Sequence, residues 1–116
     1  MNEYMLVYVG GDPEFHTKTS PEEMGEIMQR WTEWMGKLEA QGKLSTGGAP
    51  LHYGGKRIDK DRVVTDIAAA EFKELVSGYS IVKAESFDEA IALTQDCPIF
   101  DSPNIVVEVR EIMQMG

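Results

Sequence analysis

Two serine-headed tetrapeptides, Ser20-Pro21-Glu22-Glu23 and Ser86-Phe87-Asp88-Glu89, constrain the fold of this chain most strongly. In each, the serine hydroxyl can accept a hydrogen bond from an orphan N–H of a first helical turn, and the final glutamate can reach back. Proline at position 21 suits the first helical residue, where no N–H is needed. Each tetrapeptide therefore opens a helix, and each follows an apolar run. The first run, Tyr4-Met5-Leu6-Val7-Tyr8-Val9, is closed by Gly10-Gly11-Asp12-Pro13. It reads as a strand covered on both faces, hence central in its sheet.

In the first helix, Met24, Ile27, Met28, Trp31, Trp34, Met35 and Leu38 recur at helical spacing on one side, and Gly42 ends it. Residues 44–48 read as a short strand, and residues 49–61, with Gly54-Gly55, as a turn or hairpin excursion. Val63 and Val64 begin a return strand that stops at Asp66. Residues 79–84 form a third main strand. The second helix runs to about Gln95 and is stopped by Pro98, and residues 105–109 return as a strand. Without the hairpin the order is β-α-β-β-α-β. That is an α+β, ferredoxin-like split β-α-β arrangement, with two helices on one face of an antiparallel sheet. The other face is left bare, and a second copy packed on it about a two-fold axis is the simplest cover. A homodimer of the dimeric α/β-barrel type is expected.

Composition narrows the function. At 116 residues the chain suits a single domain spanning residues 1–116. Eleven basic against twenty acidic side chains would repel a phosphate backbone, so nucleic acid is not an expected partner. There is no apolar run long enough for a bilayer and no signal-peptide pattern at the N-terminus, so no membrane partner and a cytoplasmic location are expected. One cysteine, Cys97, allows no internal disulfide.

The N-terminal strand, the SPEEM helix start, WMGKLEAQGKLSTGGAPLH, VVTD, KELVSGYSIVKAESFDEAIALTQDCPIF and VVEVREI together resemble YCII-related proteins of the DGPF group, over nearly the whole chain. The motif that names the group falls at Asp66-Ile67-Ala68-Ala69, where only the aspartate is kept. In the wider superfamily a few members resemble lyases or dehydrochlorinases with a His/Asp pair. Here the first helix has no histidine, and Cys97 stands where that aspartate would lie.

Two histidines are the first candidates for proton transfer, because imidazole titrates near neutrality when a carboxylate orients it. His16 lies in EFHTKTS near Asp12 and Glu14, and His52 lies in the glycine-flanked GGAPLHYGG. His52 is favoured, since the matching loop of the resembled family ends in the same pattern and Asp66 closes the following strand. The candidate catalytic set is His52, Asp66 and His16. Tyr8, Asp12, Tyr53, Glu71 and Tyr79 are candidate substrate-binding residues, although Asp66 and Glu71 can instead cap turns and Tyr79 can simply bury its ring. No metal-ligand cluster or phosphate-cradling glycine loop is present, so neither metal nor cofactor is expected. Three functions stay open: a cofactor-free small-molecule lyase or isomerase, a small-ligand-binding module, and a regulatory protein-interaction domain.

Overall fold

The computed structural model describes residues 1–67 and 74–115. In chain order the elements are β1 (Asn2–Gly10), a short helix α1 (Phe15–Lys18), α2 (Pro21–Ala40), β2 (Leu44–Pro50), β3 (Lys56–Ile58), β4 (Val64–Asp66), β5 (Val76–Ala84), α3 (Phe87–Leu93), a 3-10 turn (Pro98–Asp101) and β6 (Ile105–Glu111). The main sheet has the order β2-β5-β1-β6, and every pairing in it is antiparallel. This is an α+β architecture compatible with the ferredoxin-like arrangement, because β5 is inserted between β1 and β2.

Both serine caps form. Ser20 Oγ accepts from the Glu23 N–H at 3.2 Å, and Ser86 Oγ from the Glu89 N–H at 3.2 Å. Alternation in β1 then sorts its side chains: Tyr4, Leu6 and Tyr8 are buried on the helix side, while Met5, Val7 and Val9 are half-buried on the other. Trp34 and Leu38 of α2 close the core over Leu6, Val82, Ala84 and Ala90. The Trp34 indole N–H donates to the Leu93 carbonyl at 3.0 Å, tying α2 to the end of α3. Met28 departs from the expected stripe and is exposed. At 100° per residue it sits at the far margin of the seam centred on Trp34 and Leu38.

The excursion after β2 also differs from expectation. Val64–Asp66 pairs with Lys56–Ile58 in a separate two-stranded ribbon, and does not join the main sheet. Its turn lies at residues 59–62 and not at Gly54-Gly55. Asp59 Oδ1 accepts from the N–H groups of Asp61 and Val63, and Arg62 takes a φ of 69°. A carboxylate that bonds successive backbone N–H groups competes well with glycine as a turn former.

The face of the main sheet opposite the helices carries Met5, Val7, Val9, Tyr79, Ile81 and Val106, with Glu108 and Arg110 on its β6 margin. Among the described residues, no helix is long and apolar enough to cross a membrane.

Strand β2 reaches β5 through a register break between Thr46 and Ala49, and Gly48 turns there with a φ of 72°. A Cβ at Gly48 would stand 1.7 Å from the Tyr79 carbonyl oxygen. Gly48→Ala combines a left-handed backbone with a clash against main chain, so it should lower stability by more than about 2 kcal/mol. The urea midpoint of the variant, at unchanged slope, measures this.

Candidate functional site

The residues with chemistry converge where β1 ends. The diglycine Gly10-Gly11 has φ values of 93° and 100°, which let the chain leave the sheet sharply. The Gly10 N–H donates to the Leu75 carbonyl at 2.9 Å, and the Gly11 N–H to the Asn104 carbonyl at 3.4 Å. The end of β1 is thereby held between the start of β5 and the start of β6.

Tyr53, from the segment that follows β2, donates its hydroxyl to the Gly10 carbonyl at 2.6 Å. A Cβ on Gly11 would lie 2.6 Å from that hydroxyl, with Ile105 and Ser77 next nearest. Close passage of the tyrosine therefore requires glycine. Ser77 donates to the Tyr8 carbonyl at 3.3 Å. Burial raises the Tyr53 phenol above the ordinary tyrosine range, Asp12 raises it further, and a hydrogen bond with Ser77 opposes both. Tyr53 is accordingly a neutral hydrogen-bonding group at physiological pH.

Asp12 completes the corner. Its Oδ1 accepts from the Glu14 N–H at 2.9 Å, and Lys18 Nζ lies 3.6 Å from its Oδ2 and 3.1 Å from Glu14. A hydrogen bond with Glu14 and the charge of Asp12 hold the Lys18 ammonium above the usual lysine range. An ionised carboxylate offers about four lone-pair sites, so Asp12 keeps acceptor capacity beyond these contacts. Asp12 and Tyr53 thus share one corner. Ser77 and Lys18 join them without having been singled out in the sequence. The diglycine ahead of Asp12 is the local signal that could have pointed to this corner, whereas nothing local marks Ser77.

The other candidates lie elsewhere. Tyr8 points into the helix-covered core, where its hydroxyl donates to Ser80 Oγ at 2.7 Å and lies 3.9 Å from Cys97 Sγ. Ser80 passes the chain of bonds on to the Gly47 carbonyl at 2.8 Å. Burial, and secondarily Cys97, raises the Tyr8 phenol far above its ordinary range; burial likewise raises the Cys97 thiol. Tyr79 sits on the open sheet face opposite Val7. His52 is exposed, and no hydrogen bond or ion pair joins it to Asp66 among the described residues. Asp66 instead pairs with Lys56 across the ribbon, both side chains being exposed. His16 falls within α1 and its side chain lies outside the described set, and Glu71 lies outside the described residues altogether.

Two surface concavities lie on the helix side, away from this corner. One, of about 500 Å3, runs between α2 and the 3-10 turn and is bridged by the ion pairs Arg30–Asp101 and Lys37–Asp96. The other, of about 490 Å3, is lined by Phe87, Ile91, Phe100, Val107 and Val109. Among the described residues no group of three His, Cys, Asp or Glu side chains is gathered as a metal site would need.

An antiparallel sheet with two main helices on one side, and a polar corner at the end of its central strand, defines a small α+β domain. The YCII-related domain model matches residues 4–116, and the chain belongs to that family. No match to the chain was found among curated proteins.

Tyr53→Phe should cost about 1 kcal/mol of stability, the usual net worth of a part-buried hydrogen bond. Equilibrium urea unfolding checks it. The Cys97 thiol has a raised folded-state pKa, so its contribution to stability is complete below the ordinary thiol range. It declines as pH rises past that range, because the unfolded chain releases its proton first. Stability measured across an alkaline pH series should therefore fall, and Cys97→Ala should flatten the first part of that fall.

Proposed function

We propose that the chain works as a homodimer on a small molecule bound at the Asp12–Tyr53–Ser77 corner, as a cofactor-free lyase or isomerase. The convergence of Asp12 and Tyr53 beside the positive-φ diglycine carries this reading. A carboxylate with unused acceptor sites can take a proton, and the Tyr53 phenol oxygen, its own proton engaged by the Gly10 carbonyl, can accept from and so orient a hydroxyl group of the substrate. His52 adjoins Tyr53 in the chain, and His16 follows Asp12 by four residues, so both remain candidate proton carriers. Asp66, engaged by Lys56, is the weaker partner for His52, and the proton-accepting role moves to Asp12.

The homodimer is supported by the open sheet face. Met5, Val7, Val9, Tyr79, Ile81 and Val106 are only half-buried or exposed there, and a two-fold copy would remove them from water. Tyr79 would then contribute to a cleft between the copies.

The exposed His52 and the engagement of Asp66 by Lys56 favour a second reading, a module that holds a small ligand without chemistry. One screen separates the two. Wild-type protein is incubated with a panel of small carbonyl and hydroxy compounds, followed by thermal shift and by mass spectrometry of the compound recovered. An altered compound supports the enzyme, and Asp12→Asn should then lower turnover by about 10²- to 10⁴-fold at unchanged dimer mass. A stabilising compound recovered intact supports the binding module. If no compound raises the melting temperature, both readings are wrong.

A further inference from the structure

The ribbon formed by β3 and β4 stands apart from the rest of the molecule in exposure and in charge. All six of its strand residues are exposed. Ile58 and Val64 face each other across the ribbon at 64% and 57% exposure, and Val63 at its turn is 55% exposed. Single exposed apolar side chains are normal, but a lone two-stranded ribbon is marginal in water, and cross-strand apolar pairs on one call for a cover.

Charge points to what that cover is. The ribbon with its turn, residues 56–66, holds four of the eleven basic residues, against three acids. The rest of the chain is left with seven basic and seventeen acidic side chains. Within the ribbon, Asp59 is occupied by backbone N–H groups of its turn, and Asp66 pairs with Lys56. Among the described residues, Arg57 and Lys60 have no ion-pair partner. A basic, apolar-faced arm on an otherwise strongly acidic body is complementary to a second body of the same kind.

We propose that the ribbon is a clasping arm that docks on the acidic surface of a second copy of this chain. The two-fold relation repeats the contact, so each copy both gives and receives an arm. The inference rests on the self-association proposed above and adds a contact outside the open sheet face. It also explains why Ile58 and Val64 are tolerated in the open: in the assembly they are covered.

The test is sedimentation equilibrium of the full chain, for the wild type at low and high salt and for two variants at low salt. Raising sodium chloride from roughly 50 mM to roughly 500 mM should weaken wild-type association, because exposed ion pairs are screened beyond a few ångströms. The double variant Arg57→Glu/Lys60→Glu should weaken it about tenfold, and Ile58→Thr/Val64→Thr by a similar factor, with far-ultraviolet circular dichroism unchanged. Association that is indifferent to salt and to both variants overturns the arm while leaving the sheet-face dimer standing. A wild type that is monomeric throughout overturns both. Binding to heparin or to anionic vesicles that is lost in the charge variant, with self-association intact, would assign the arm to another partner and so overturn its docking on a second copy. The wild-type salt series needs no variant, so a misfolded substitution cannot shelter the idea.

Discussion

Strand β1 is hydrogen-bonded along both edges, to β5 from Asn2↔Ala84 to Val9↔Val76 and to β6 from Tyr4↔Glu111 to Gly10↔Ile105. Nearly everything else in the molecule takes its position from that double pairing. Because one strand serves two neighbours, β5 and β6 keep a fixed relation although a helix and a turn separate them in sequence. The alternation of β1 then decides which of their side chains meet α2. Tyr4, Leu6 and Tyr8 form the floor on which Trp34 and Leu38 rest, with the Trp31 ring 5.9 Å from that of Tyr8 and 5.7 Å from that of Trp34. Offset and edge-on contacts of this kind add to the area that the rings bury.

The same strand delivers the candidate site. A chain that ended its central strand on ordinary residues would keep running in the plane of the sheet. Gly10 and Gly11 instead turn it, and the lack of a Cβ at Gly11 admits the Tyr53 hydroxyl. The polar groups of the corner are satisfied mainly by backbone: Gly10 and Tyr8 carbonyls accept from Tyr53 and Ser77, and Asp12 accepts from the Glu14 N–H. Such anchoring fixes the side chains while leaving the carboxylate part of its acceptor capacity, the condition a proton-accepting group must meet. The buried Tyr8–Ser80–Gly47 relay is a purely structural use of a phenol. Its donor is spent inside the core, and it joins β1 to the irregular stretch of β2 through β5.

Charge in this protein is unevenly placed, and the placement matters more than the total. The net charge of −9 keeps anions away from most of the surface. Outward carboxylates near α2 and the 3-10 turn are partly neutralised by Arg30 and Lys37, whereas the basic residues of the ribbon are concentrated where the chain projects.

The sequence by itself determined the elements and their order. Ser20 and Ser86 cap helices through local hydrogen bonds, Gly42 takes the positive φ of a helix end, and the apolar run of residues 4–9 can satisfy its two neighbours only at the centre of a sheet. These are short-range requirements, written in contiguous residues. Asp12 and Tyr53 were legible as candidates, yet their meeting was not, because forty-one positions separate them and only the packing of the segment after β2 against Gly10 brings them together. Tertiary structure alone made Ser77 part of the corner and turned Tyr8 inward to Ser80. It also engaged Asp66 with Lys56 and set residues 64–66 in a separate ribbon. Each of these depends on strand register and on which face a side chain receives, and a shift of one residue would reverse that face without changing the local sequence.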